Sequence, residues 1–496
     1  MNKVLEIIKD PVLTYEQKVL TLARAAEDSI DVLNISEETQ ALRDEGVICD
    51  LFEGHAPYRP RYIVPDYEKF MKQGSKFLGL EPPEDLHDAI NNLLILYKHV
   101  PSITSFPVYI GNIDKLLNPF CKDDEETFKA IKRFLKHIDR TTTDSFCHAN
   151  IGPEDSLAGR LILRAERELQ DSIPNITLKL SEETPESFVL DAIDTALITA
   201  KPSFANHQMF LDDFSGDYAI VSCYNGLDIG GGSYTLVRMN LHKLAQKYDD
   251  FDTFFNVGLP NAAKHMLDYL DERVRFLIYE TPFFEENFLV NEKLIDINKF
   301  TGMFGLVGLA NAVNHFVENS DDLDNRFGHS EYADSMGVKI IEKLDEIVKS
   351  HSLKELYASK GHYLLHAQVG IDTDMGTAPG CRIPIGDEPE IYKHVVQAAK
   401  YHKYFPSGIG DIFNFDKTVK SNPSYVLDII KGAFKSGMRY LSVYSTDCDV
   451  IRITGYLVKR SEIEKLEGGE RVLRDTAQLG MGAVKNQRVL ERKVRD

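Results

Sequence analysis

An α/β fold is predicted for this chain, with a large sheet curled like a barrel and wrapped by helices. Short β-rich stretches alternate with helical stripes over some three hundred residues. The chain has 496 residues, enough to bury a large core, and 43% of them are hydrophobic. A 27% charged fraction without low-complexity bias is the composition of a globular protein.

Residues 1–140 read as mainly helical, with loops at 54–62 and 100–111. A core region is expected over 141–440. There, helical stripes at 155–171 and 187–200 flank PNITLKLS, whose polar and apolar residues alternate as in a strand. Further strands are expected at 216–223, 233–239, 363–370 and 439–445. A helix over 422–437 is written with Asn422 as cap, Pro423 at its first position and Gly437 just past its end. Its expected buried face is Val426, Ile429, Ile430, Ala433 and Phe434. A C-terminal segment, 441–496, follows.

Several function classes are disfavoured. The net charge of −20 would repel a nucleic-acid backbone over most of the surface. No run of about 18 uncharged apolar residues predicts a membrane span. MNKVLEIIKDPVL carries charges inside its apolar stretch and lacks a small-residue cleavage site, so no signal peptide is expected. The six cysteines are scattered with no CxxC pair, which gives no support to a metal site and suggests free thiols in a reducing cytoplasm.

Two segments carry chemistry. In Asp447-Cys448-Asp449-Val450-Ile451-Arg452-Ile453-Thr454-Gly455-Tyr456-Leu457-Val458 the alternation predicts a strand, and a glycine there ordinarily marks a bulge, a turn or a close backbone approach. In Ser222-Cys223-Tyr224-Asn225-Gly226-Leu227, followed by Asp228-Ile229-Gly230-Gly231-Gly232, a strand leads to a turn bearing a cysteine and a second strand returns. Cys223 has the plain alternative of a small buried hydrophobe. The three glycines have the alternatives of a flexible turn or a phosphate-cradling loop. The latter lacks the following Lys-Ser/Thr and the helix it needs.

Arg452-Ile453-Thr454-Gly455-Tyr456 resembles the Arg-Val-x-Gly-Tyr signature of glycyl radical enzymes, and the segment around Cys223 resembles the cysteine finger of anaerobic ribonucleotide reductases and their relatives. FCHANIGPEDS (146–156), the finger and VIRITGYLVKRSE (450–462) are most similar to the YjjI-type branch. DSIPNITLKLSEETP, GLVGLANAVNHF, GCRIPIGDEP and FNFDKT are similar to further landmarks of the superfamily. The resemblance implies a ten-stranded barrel of two half-barrels in which the finger and the glycine loop meet. It implies a radical stored on Gly455, relayed through a Cys223 thiyl to a small organic substrate. It also implies a homodimer, and a separate radical-SAM activase that installs the radical with S-adenosylmethionine and its own 4Fe-4S cluster. Glycine suits such storage because a Cα radical shared between amide nitrogen and carbonyl needs a planar centre that no side chain crowds.

The chain departs from the named subfamilies. Ser222-Cys223 lacks the cysteine pair of pyruvate formate-lyase, Asn225 stands where eliminases place a glutamate, and no cysteine follows Cys448 to build the zinc site of the reductases. Substrate and reaction subtype therefore stay open. His148, Asp228 and Cys381 are candidate substrate-pocket residues, each with a bland alternative in the core or a turn. Arg452 is expected either to pair with barrel carboxylates and position the glycine loop, or to lie at a solvent edge. From Lys459 onward ten Lys/Arg face seven Asp/Glu, which suits either docking on the acidic body or a solvated tail. The rival to the enzyme is a catalytically silent relative that binds a metabolite or partner. Retention of both Cys223 and Gly455 argues against it.

Overall fold

The structure, a computed structural model, describes residues 3–49, 58–102, 106–214, 216–368 and 374–495. The predicted loops 54–62 and 100–111, and the end of the predicted strand 363–370, lie partly outside these residues.

Helices dominate the N-terminal part, but two short strands there, Ile48–Cys49 and Tyr62–Val64, pair antiparallel with the long strand Gly231–Asn240. That strand continues in parallel to Phe300–Val307 and then Leu364–Ala367, completing a five-stranded sheet. A six-stranded sheet runs Val494–Arg495, Asp411–Phe415, Tyr440–Ser445, Ser203–Asn206, Asn175–Leu180, His148–Ile151. Only its central pair, Tyr440–Ser445 with Ser203–Asn206, is antiparallel. Helices Leu157–Leu169, Glu186–Thr199 and Pro423–Lys435 join parallel neighbours, as crossover connections require. The fold is thus mixed α/β. Among the described residues no strand of one sheet pairs with a strand of the other, so the expected closed ring of ten strands is not formed by backbone pairing.

The helix after Asn422 starts at Pro423 as predicted, but Asn422 makes no side-chain capping bond. At the other end, Met438 N–H reaches Ala433 and Gly437 N–H reaches Phe434, with Gly437 at φ 100°. Val426, Leu427, Ile430 and Ala433 are buried, whereas Ile429 and Phe434 sit half-buried at the edge of the stripe.

The two remaining strand pairs are hairpins: Tyr218–Val221 with Asn225–Asp228, and Val450–Arg452 with Leu457–Lys459. The second sits in a small apolar cluster with Ile412, Tyr444 and Ala483, whereas the first divides: Tyr218 and Ile220 pack with Phe210, Phe214 and Tyr440, and Ala219, Val221 and Leu227 join the main core.

Candidate active site

The first hairpin is braced from base to tip by polar side chains on two neighbouring strands. Successive residues of a strand face opposite sides, so His148 and Asn150 share a face, as do Asn175, Thr177 and Lys179. Lys179 Nζ donates to Tyr218 O (2.6 Å) near the hairpin base. Asn150 meets Ile220 with both amide atoms, donating to its carbonyl and accepting from its N–H, both at 2.8 Å. At the tip, Ser222 adopts a left-handed φ of 56°, and its N–H donates to Val108 O (3.0 Å). His148 Nδ1 lies 2.8 Å from Ser222 O, which can only accept, so that nitrogen carries the proton. Nε2 then accepts from Thr177 Oγ1 (2.7 Å), and Tyr440 Oη lies 3.2 Å from both Thr177 Oγ1 and Cys223 O. The backbone on both sides of Cys223 is therefore fixed, while among the described residues the polar neighbour of its sulfur is Ser222 Oγ, at 3.9 Å.

The second hairpin ends in Ile453-Thr454-Gly455-Tyr456, all buried. Ile453 N–H donates to Tyr456 O (3.1 Å), and Leu457 N–H to Ser145 Oγ (3.3 Å). Arg492 clasps the loop from behind, donating to Arg452 O and Ile453 O, each at 3.0 Å. Asn175 Nδ2 donates to Gly455 O (3.1 Å), and Asn175 Oδ1 accepts from the Arg452 guanidinium (2.9 Å).

Cys223 and Gly455 meet. A methyl group placed on Gly455 would lie 2.5 Å from Cys223 Sγ and closer still to its Cβ. With a carbon–carbon bond of about 1.5 Å, the glycine Cα is within about 4 Å of the sulfur. Gly455 does not have a positive φ, so no left-handed turn demands glycine here; the close approach of Cys223 does. Burial pushes the Cys223 thiol up to about 12, against weaker opposite pulls from Ser222 and from the charges of Arg382, Arg61 and Arg452. The sulfur therefore keeps its hydrogen at neutral pH, which suits hydrogen-atom exchange and not attack by a thiolate.

The other sequence-derived candidates separate. His148 lies beside the finger tip, but both its nitrogens are used within the protein, and burial depresses it to about 3, so it is neutral. Asp228 pairs with Tyr218 at the hairpin base, three residues from Asn225 and so roughly 10 Å along the strand from the tip. Burial raises its carboxyl, with Lys299 opposing. Cys381 lies in a narrow gap lined by Tyr224, Arg382, His402 and Asp411, and burial holds its thiol well above the ordinary range. Arg452 is 1% exposed, so it lies at no solvent edge, and its described partners are Ala200 O and Asn175 Oδ1, not carboxylates, although through Asn175 it does reach the glycine loop. Gly231 and Gly232 are strand residues pressed against Lys299 O, Tyr62 O and Phe300, not a flexible turn. Among the described residues no three His, Cys, Asp or Glu side chains are grouped to hold a metal ion.

Sequence reasoning missed Asn150, Asn175, Thr177, Tyr440 and Arg492. For Asn150, Asn175 and Thr177 the signal was the polar half of the alternation in HANI and NITLKL. It reads as a solvent face, yet both faces of these strands are buried.

The family model "Glycyl radical enzyme YjjI-like" matches residues 13–495. An uncharacterised protein of Haemophilus influenzae is 46% identical over 505 residues, covering 100% of this chain and 98% of its own. The uncharacterised protein YjjI of Escherichia coli is 43% identical over 495 residues, covering 99% and 95%. Among solved structures, the B12-independent glycerol dehydratase from Clostridium butyricum is similar at a TM-score of 0.70 and 11% identity, over 100% of this chain and 88% of that one. The anaerobic ribonucleotide reductase from Thermotoga maritima has a TM-score of 0.68 at 12% identity, over 94% and 88%. These structural likenesses concern the fold. The chain belongs to the YjjI-like glycyl radical enzymes.

Proposed function

We propose that this protein stores a radical on Gly455 and uses it, through Cys223, to remove a hydrogen atom from a small organic substrate. The single observation that carries this reading is the near-contact of Gly455 with Cys223, across 232 positions of sequence, at the tips of two buried hairpins. In the relay, the Gly455 radical takes the hydrogen of Cys223 Sγ, remaking the Cα–H bond and leaving a thiyl. The thiyl then takes hydrogen from a substrate C–H, remaking S–H. After the substrate radical rearranges or fragments, the thiol returns its hydrogen to the product and the radical goes back to Gly455. Atoms and electrons balance without a bound cofactor, and geometry of this kind supplies the proximity on which hydrogen transfer depends.

The radical itself is installed by a radical-SAM activase carrying the 4Fe-4S cluster and S-adenosylmethionine, a partner the family generally uses. The active form is a homodimer of cytoplasmic, oxygen-sensitive enzyme, with the two sheets serving as half-barrels around the hairpins. His148 acts as a brace for the finger. Cys381 and Asp228 reach substrate only if it extends past Tyr224 or along the hairpin. Anaerobic electron paramagnetic resonance after treatment with the enzyme's own activase should show a doublet from the remaining Gly455 Cα hydrogen. Absence of that signal, with S-adenosylmethionine being cleaved, overturns the proposal.

A further inference from the structure

Arg452 is a fully buried guanidinium with no carboxylate within salt-bridge reach among the described residues, so no opposite charge offsets its desolvation. Arg492, also buried and without a described carboxylate partner, lies beside it. A loop needing only mechanical support would be held as well by neutral donors. The charge has another outlet. Arg452 donates to Asn175 Oδ1 at 2.9 Å, and the same carboxamide donates through Nδ2 to Gly455 O at 3.1 Å. The orientation of that amide is fixed, since the guanidinium offers only hydrogens and Gly455 O only lone pairs.

We infer that Asn175, polarised by Arg452, tunes the Gly455 radical and holds the unpaired electron on glycine between turnovers. This rests on the relay proposed above and goes beyond it. A radical at Gly455 Cα is stabilised when the amide nitrogen releases electron density and the carbonyl accepts it. Hydrogen bonds in series strengthen one another, so a cation behind the carboxamide makes Nδ2–H a better donor to the carbonyl oxygen. That oxygen gains negative charge when the radical forms, so the bond strengthens in the radical state more than in the parent glycine. No comparable donor faces Cys223 Sγ, whose described polar neighbour is Ser222 Oγ at 3.9 Å. The effect is therefore differential, as a shift of population requires. It favours the glycyl over the thiyl form. Asn175 and Arg452 are positioning and tuning residues, since their described side-chain hydrogen bonds go to the glycine loop, Ala200 O and each other, and none to the sulfur.

The test uses full-length protein activated by its own activase, as wild type, Asn175→Asp, Asn175→Ala and Arg452→Gln. Asn175→Asp keeps the shape and offers oxygen where the donor stood. Arg452→Gln removes the charge and keeps a donor. High-field electron paramagnetic resonance should show a raised g-tensor component along the carbonyl for both Asn175 variants, and a smaller rise for Arg452→Gln. In deuterated buffer, exchange of the Cα hydrogen through the thiol should run roughly three- to tenfold faster in the Asn175 variants, the size of one hydrogen bond of ordinary net strength. A purely structural role would move neither the g-tensor nor the exchange rate in variants that melt like wild type. Unchanged g-values and rates overturn the inference. So does a well-folded set of variants that accepts no radical at all, because the residues would then serve activation. A wild type without any radical would instead refute the relay itself.

Discussion

Replacing Gly455 by alanine probes the geometry without any radical chemistry. The new methyl would stand 2.5 Å from Cys223 Sγ in a site where both residues are buried. Forcing extra carbon into a packed interior costs about 1–3 kcal/mol. Alanine at a compatible φ recovers about 0.4–1 kcal/mol by restricting the unfolded chain. The net loss is therefore about 0–2.6 kcal/mol, or a Tm drop of up to about 3 °C for a chain of this size. Gly432→Ala provides the contrast: it lies in the helix Pro423–Lys435, where a methyl meets nothing within 4 Å, and it should raise stability. Differential scanning calorimetry on unactivated protein compares the two. Adding Cys223→Gly to Gly455→Ala should recover most of the loss, whereas Cys223→Ala should not, because its Cβ still collides. If Gly455→Ala raised Tm as Gly432→Ala does, the close approach of the two hairpins would be refuted.

Three further outcomes are expected. Cys223→Ser should still take up the radical, seen as the doublet, yet lose all turnover on an identified substrate; wild-type turnover would exclude Cys223 as the thiyl. Exposure of activated protein to air should cut the backbone at Gly455 and release a fragment beginning near Tyr456, readable by mass spectrometry, while unactivated protein and Gly455→Ala stay whole. Finally, the C-terminal segment should loosen at acid pH. Burial raises the Asp171 carboxyl, but the hydrogen bond and charge of Lys459 and the charge of Arg140 outweigh it and leave the group below its ordinary 3.8. A carboxylate depressed on folding contributes stability that is present above 3.8 and lost as pH falls through its lower folded value. Limited proteolysis across Lys459 should therefore accelerate below pH 4, and Asp171→Asn should show the accelerated rate at neutral pH.

Much of the site was legible because its chemistry is local. Gly455 and Cys223 stand out through the resemblance of their short segments to known motifs, since residue type alone leaves each a plain alternative, and the strands around them follow from alternation. What alternation cannot show is which face looks inward. In Asn175-Ile176-Thr177-Leu178-Lys179-Leu180 the apolar side packs under helices, and the polar side faces the hairpins, where each residue finds a backbone or side-chain partner. Both faces are buried, so the polar one is no solvent surface. Arg452 escaped for a related reason: a buried guanidinium satisfied by a carbonyl and an amide has no charge partner that sequence could suggest. The basic surplus after Lys459 left docking and a solvated tail equally open, and the ion pairs decide for docking. Lys459 and Arg474 engage Asp171, and Arg474 also engages Asp139 and Glu462, so the segment is docked. Asp171 and Asp139 lie some three hundred positions away in sequence, and their own local patterns give no hint of these pairings.

The relay from Gly455 to Cys223 can be tested directly without a known substrate. Wild-type protein is activated in ordinary water and transferred anaerobically to deuterated buffer, and the glycyl spectrum is followed with time. The thiol hydrogen exchanges with solvent, so each visit of the radical to sulfur delivers a deuterium to the glycine carbon, and the thiyl takes back one of the two hydrogens there; repeated visits replace the remaining protium. The doublet should collapse to a singlet in wild type and persist in Cys223→Ser. A doublet that collapses equally in Cys223→Ser, or never collapses in wild type under conditions where the thiol is deuterated, would contradict the relay.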